Sequence, residues 1–274
     1  MRIRLGHSPD PDDAFMFYGL ANGKIDTGDY QIEHVLQDIQ TLNERATRGE
    51  LEITALSLHA YAYVCNRYIL TRCGGSFGCN YGPMIVAKRA FDPSELASKI
   101  LAVPGEMTTA FLALRLICPK PNYRVMPFDQ IISAVLSGQV DAGLIIHEGQ
   151  LTYARAGLQC VLELGQWWQQ VTNLPMPLGV NGIRRDLGME VCKELGEILL
   201  SSIRYSLDNR QQAVRYALRY ARDMEESLAD RFVGMYVNDL TLNLGPTGQR
   251  GVEEMLRRGY QANVIPNALP VEFV

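Results

Sequence analysis

Two stretches of this chain repeat one another at a spacing of about 90 residues, too long for a solenoid whose units run roughly 20 to 50. RGELEITALSLHAYAY (residues 48–63) and SGQVDAGLIIHEGQLTY (residues 137–153) each leave a helix through a glycine, pass along a strand carrying one acidic residue, and enter a second helix. Gly49 falls on Gly138, Glu52 on Asp141 and Leu58 on His147. The repeat predicts an α/β protein of two similar lobes.

Two segments read as crossings between lobes. GGSFGCNYGPMIVAKR (residues 74–89) is glycine-rich and then strand-like, and LPMPLGVNGIRRD (residues 174–186) brings two prolines ahead of another strand. Lobe one is therefore expected to combine residues 1–86 with 180–274, and lobe two to span 87–179. A cleft should form where strand ends of both lobes meet, since open α/β sheets bind ligands outside the carboxyl ends of their strands.

The local pattern fills these lobes in. A strand over residues 2–5 leads through Pro9 and Pro11 to a helix reaching about residue 21, with Asp12 or Asp13 predicted as its N-cap. Ile39, Leu42 and Ala46 recur at helical spacing before Gly49. The strand ILAV, the turn PGEMTT and an apolar helix over residues 110–117 open the second lobe. After Asp186 the pattern is helical, with helices expected over 189–207 and 210–224, others running through Tyr236 and Met255, and an extended tail.

Composition narrows the function. At 274 residues and 47% hydrophobic, the chain supplies ample core, and its net charge of −4 gives no electrostatic footprint for nucleic acid or an anionic membrane. A small organic ligand is the expected partner. The N-terminus turns polar within seven residues and no run approaches the ~18 apolar residues of a membrane span, so a cytoplasmic protein is expected. The six cysteines form no C-x-x-C pair and no zinc-finger spacing. They read as free thiols, and no structural zinc is expected.

Seven strings taken in order carry a resemblance: SPDPDDAFMFYGL, LQDIQTLNERA, VPGEMTTAFLAL, DAGLIIHEGQLTY, LGQWW, NLPMPLG and YVNDLTLNLG. Together they resemble the 1,4-dihydroxy-6-naphthoate synthases of the futalosine route to menaquinone, from near residue 2 to the final FV. The resemblance implies a periplasmic-binding-protein-like fold of the two-crossing type (type II). It implies a cofactor-free carbon–carbon lyase that cleaves cyclic dehypoxanthine futalosine to 1,4-dihydroxy-6-naphthoate, with His147 as catalytic base. It places substrate contacts on Leu56, Ser57, Thr108, Thr109 and Ala110, and further ones on Ala55 and Asn43. The chain departs from that family's pattern at Asp10 and Asp12, where members read Cys-Pro-Asn, and at Ala55, where they carry lysine. Two rival readings are a chorismate dehydratase of the same route and a transport protein that binds a small carboxylate without chemistry. The histidine of LIIHE argues against the dehydratase.

Each candidate has a plainer alternative. His147 ends a strand at the expected cleft, and imidazole is the side chain suited to accept a proton near neutral pH; otherwise it caps a helix or is simply satisfied. Glu148 orients that ring or caps the helix that follows. Thr108 and Thr109 begin a helix, whose free N–H groups favour a carboxylate, and they also suit ordinary N-caps. Ser57 hydrogen-bonds ligand unless a histidine relay makes it a nucleophile. Asp12 and Asp13 read as caps, His59 as structural, and Trp167 with Trp168 as a buried anchor or an aromatic platform.

Overall fold

The computed structural model describes residues 1–220 and 225–274. β1 (Arg2–His7) turns through Pro9 into α1 (Pro11–Met16), and after Phe17 the chain continues as α2 (Tyr18–Ala21). The helix begins earlier than predicted. Pro11 takes the first helical position, where a missing N–H costs nothing, so Asp10 stands at the N-cap position and Asp12 and Asp13 lie inside the first turn.

β2 (Gln31–Leu36), α3 (Ile39–Thr47), β3 (Ile53–Ser57), α4 (Leu58–Val64), β4 (Tyr68–Leu70) and β5 (Ser76–Gly78) complete the first passage. β6 (Met84–Ala87), β7 (Ile100–Val103), α5 (Thr109–Ile117), β8 (Asn122–Val125), α6 (Ile131–Ser137), β9 (Ala142–Ile145), α7 (Gly149–Thr152), β10 (Gln159–Glu163) and α8 (Leu164–Thr172) follow. β11 (Met176–Arg184) carries the chain back. It is followed by α9 (Met189–Asp208), α10 (Arg210–Ala217), α11 (Glu226–Tyr236), α12 (Asp239–Leu242) and α13 (Gly245–Gln261). The helix expected over 210–224 is seen as α10 to Ala217; residues 221–224 lie outside the described residues.

Among the described residues the strands form two sheets. One has the order β2-β1-β3-β11-β4 with β5 also on β11, and the other has the order β10-β6-β9-β7-β8. β1 and β3 run parallel in the first, β7 and β9 parallel in the second, and the crossing strands β11 and β6 are antiparallel to β3 and β9. The repeat noted in the sequence is thus one unit in each sheet, α3–β3–α4 and α6–β9–α7. In both copies the first helix is closed by a left-handed glycine, Gly49 at φ 66° and Gly138 at φ 78°, a conformation an L side chain resists. At the first crossing, a side chain on Gly165 would start 2.1 Å from the Tyr81 carbonyl oxygen, so only glycine lets the chain pass.

One buried cluster runs without a break from Leu56 and Val180 of the first sheet, through Tyr61 of α4 and Phe111 of α5, to Leu101 and Leu144 of the second. A second cluster packs Leu5, Phe15 and Phe17 against Leu199 and Ile203 of α9 and Val233 of α11. Phe15 is wholly buried, which stabilises by ~1.5 to 3 kcal/mol and fixes the short α1 against the helices behind it. The tail pairs back, with Phe273 bridged to Leu70.

Candidate functional site

A cavity opens where the carboxyl ends of the parallel strands of both sheets converge. Ser57 at the end of β3 and Thr108, Thr109 and Ala110 at the start of α5 form one wall, with Ala55 behind Ser57 and Leu178 beside them. Leu56, Asn43 and His147 are not on the wall. Leu56 is wholly buried and points the other way along β3, since successive strand residues face opposite sides. Asn43 is buried behind Ser57: its Oδ1 accepts the Ser57 N–H at 2.9 Å, and its Nδ2 donates to Ser57 Oγ at 3.0 Å and to the Met107 carbonyl at 3.2 Å. Because Ser57 Oγ accepts from Asn43, its own O–H is directed to some other acceptor, and the cavity lies beside it.

Thr108 is the N-cap of α5 that its pattern allowed, and Thr109 is the first helical residue. Thr108 Oγ1 accepts the Phe111 N–H at 3.1 Å and donates to Gly105 O at 3.0 Å. Thr109 Oγ1 accepts the Leu58 N–H at 2.9 Å and donates to Leu178 O at 2.6 Å, so this hydroxyl stitches α5 to the start of α4 and to β11 and has no proton left for a ligand. The N–H groups of Thr109 and Ala110 stand at the first two helical positions, where no intrahelical acceptor exists. Two free N–H groups at the positive end of a helix, beside a serine hydroxyl, suit a carboxylate.

His147 follows β9, where Ile146 forms the cavity wall. The ring is 7% exposed. Its Nδ1 accepts the Gly149 N–H at 3.0 Å, so the neutral ring carries its proton on Nε2 and donates to Phe128 O at 3.1 Å. Glu148 stands at the N-cap position of α7 without a side-chain cap bond, and its Oε2 is 3.6 Å from His147 Nδ1. That carboxylate makes no hydrogen bond to the neutral ring, whose orientation is set by Gly149 and Phe128, and it stands close enough to pair with the ring once the ring is protonated. Gly149 has no room for a side chain, because a Cβ would meet His147 Cε1 at 2.7 Å.

The wall facing α5 is acidic. Ser8, Asp10, Asp12 and Asp13 come from the turn into α1, joined by Ser76 of β5 and Tyr236 of α11. Asp13 accepts the Ser8 N–H at 2.8 Å and Asp10 accepts the Ser8 hydroxyl at 2.6 Å. Burial, with the charge of Asp10 adding to it, pushes the Asp12 carboxyl up to about 7. Burial and then Asp12 push Asp13 well above the usual carboxylate range. Asp12 and Asp13 thus belong to the cavity as well as to the first turn of α1. Ser76 and Tyr236 carry no local sequence signal; only the fold brings them there.

The other candidates are structural. His59 packs parallel to Phe111 with ring centroids 6.3 Å apart, and burial lowers its pKa to about 4. Trp168 is wholly buried and donates to Pro175 O at 3.1 Å, anchoring α8 to the returning strand. The cysteines are free thiols. Among the described residues, no three His, Cys, Asp or Glu side chains gather as a metal site, and no helix is long and apolar enough to cross a membrane.

A family model described as menaquinone biosynthesis matches residues 3–261. The chain belongs to that family. It is similar to a 1,4-dihydroxy-6-naphtoate synthase of Thermus thermophilus, 39% identical over 92% of each chain. It is also similar to one of Streptomyces coelicolor, 34% identical over 96% of this chain and 95% of that one. Among solved structures, a protein of Archaeoglobus fulgidus superposes with a TM-score of 0.93 at 45% identity, covering 96% of this chain and 98% of the other. The alkanesulfonate-binding protein SsuA of Xanthomonas axonopodis superposes with a TM-score of 0.72 at 11% identity, over all of this chain and 98% of that one. The last likeness establishes the fold: α/β, two-lobed and periplasmic-binding-protein-like, as the sequence predicted.

Proposed function

We propose that this menaquinone-biosynthesis protein is a cytoplasmic 1,4-dihydroxy-6-naphthoate synthase, a carbon–carbon lyase acting on cyclic dehypoxanthine futalosine. The observation that carries the reading is the donor set at the start of α5. Free N–H groups of Thr109 and Ala110 and the Ser57 hydroxyl form a seat for one carboxylate, in a cavity between lobes whose opposite wall carries the Asp10, Asp12 and Asp13 carboxyls and whose remainder is mostly apolar and hydroxyl groups. The two curated relatives share this activity by name.

In this reading His147 is the general base. With its Nδ1 lone pair on the Gly149 N–H and its Nε2 proton on Phe128 O, the ring is held behind the cavity wall. Substrate draws it out of that pocket, and a ring nitrogen accepts the proton of a hydroxyl on the sugar-derived ring, while Glu148 stabilises the imidazolium. Closure of the lobes excludes water from the reacting bonds. Aromatisation of the bicycle supplies driving force.

Incubation of the pure protein with cyclic dehypoxanthine futalosine tests the assignment, with the naphthoate followed by absorbance and mass. Formation of 1,4-dihydroxy-6-naphthoate is the expected result. Activity on chorismate instead, or binding without turnover, would replace it with one of the two rival readings.

A further inference from the structure

The two walls of the cavity differ in chemistry, and the difference orients a ligand. The α5 wall offers donors, and no lysine, arginine or histidine lines the cavity among the described residues. We infer that Asp12, set with Ser76 and Tyr236 opposite α5, selects the uncharged, hydroxyl-bearing ring of the substrate and excludes a second anionic group from that end. This rests on the proposed function, which puts the single carboxylate at α5.

Asp12 is the member of the acidic turn left available for ligand. Asp13 is held by the Ser8 N–H and Asp10 by the Ser8 hydroxyl, whereas Asp12 meets the N–H groups of its own turn and, at 3.4 Å, Ser76 Oγ. Tyr236 at this end is held from behind. Gln150 is 5% exposed, its Oε1 accepts the Tyr236 hydroxyl at 2.6 Å, and its Nε2 has no partner. Gln150 stands behind the cavity lining and takes the Tyr236 hydroxyl proton, which leaves the Tyr236 oxygen as an acceptor beside Asp12.

The groups around Asp12 leave its charge uncompensated. Asp10 and Asp13 share its turn, Tyr236 faces it from α11, and Ser76 from β5. Behind α1, the Arg210 guanidinium of α10 lies over the Phe15 ring at 5.6 Å and pairs with Asp230 at 2.8 Å, while α9 presents the Ser202 and Ser206 hydroxyls to Met16 O. His7, beside Ser8, is lowered to about 3 by burial and by His34, and so is neutral at neutral pH. With its pKa pushed up to about 7, Asp12 donates to a hydroxyl or carbonyl oxygen when protonated and accepts from a hydroxyl when ionised. The protonated form can donate to a carboxylate, whereas the ionised form repels one, so exclusion of a second anion strengthens as pH rises.

Calorimetry with two probes tests this: naphthalene-2-carboxylate, and naphthalene-2,6-dicarboxylate, which carries a second carboxylate on the far ring. Between about pH 5.5 and 8.5 the monocarboxylate should bind with nearly constant affinity, while the dicarboxylate should weaken by about tenfold as Asp12 ionises. In Asp12→Asn, checked for native fold by near-UV circular dichroism, the dicarboxylate should lose that pH dependence. A dicarboxylate that binds wild type as tightly as the monocarboxylate at about pH 8.5 overturns the inference whether or not the variant folds, as does a folded Asp12→Asn protein that discriminates between the two probes as strongly as wild type. Failure of the monocarboxylate to bind at any pH overturns the proposed function and the inference with it.

Discussion

At the scale of single residues, the site depends on side chains that hold others in place. Asn43 makes three hydrogen bonds, two of them to Ser57, and touches no ligand space itself. Asn43→Ala leaves the Ser57 N–H buried and unpaired, so a loss of about 1 to 3 kcal/mol is expected in urea unfolding, with weaker product binding as the Ser57 hydroxyl loses its orientation. A variant with unchanged stability and affinity would remove Asn43 from this role. Asp12 makes the opposite trade. Its folded pKa, about 7, lies above the ordinary carboxylate value, so the native state holds a proton that the unfolded chain releases. Its contribution is fully present below the ordinary value of about 4 and is lost as pH rises through about 7. Asp12→Asn should therefore flatten that fall, with a melting temperature above wild type at about pH 8 and near it at about pH 4; parallel curves for the two proteins would contradict this. An asparagine has the donor and acceptor of a protonated carboxyl, so Asp12 in place of that residue keeps the hydrogen-bonding pattern while it is neutral. The family resemblance pointed to Ser57, Thr108, Thr109 and His147, and the chemistry of each residue type left a plainer reading open beside it. The division of labour among them was hidden, because whether a hydroxyl is spent on backbone or left for ligand depends on neighbours distant in sequence, such as Leu178 for Thr109.

At the scale of elements, α5 links the two halves of the site. Its N-cap hydroxyl, on Thr108, is a local device, and Thr108→Ala should cost ~1 kcal/mol of stability by loss of the cap. Thr109→Val is different. The hydroxyl it removes joins the Leu58 N–H to Leu178 O across the lobes, so the expected result is a larger loss of stability together with weaker product binding, read by denaturation and calorimetry. Unchanged stability with weakened binding would mean that the hydroxyl meets the ligand directly. Helical periodicity and capping made α3, α5 and α6 legible in the sequence, and the alternation of β3 and β9 showed the repeat. The start of α1 was misread because proline at the first helical position moves the boundary ahead of the aspartates that looked like caps. The break at Phe17 has no signature in composition; it follows from the packing of Phe15 and Phe17 into one buried cluster.

For the whole molecule, the core is continuous through α4 and α5, so the lobes stay packed together on that side of the cleft. The Tyr236–Gln150 hydrogen bond, between α11 and α7, closes the other side. Lobe motion should open there, and product should shift the protein to its compact form. Small-angle scattering is expected to give a smaller radius of gyration with product, and a larger one for free Tyr236→Phe than for free wild type; equal radii in all states would mean rigidly docked lobes. The central claim, a cleft in which His147 takes the substrate's proton, is tested most directly by the turnover of cyclic dehypoxanthine futalosine by His147→Asn beside its affinity for 1,4-dihydroxy-6-naphthoate. The account predicts turnover lower by about 10²- to 10⁴-fold with affinity nearly unchanged, because the seat at Ser57, Thr109 and Ala110 is intact. A folded His147→Asn protein that cleaves the substrate at close to the wild-type rate would contradict it.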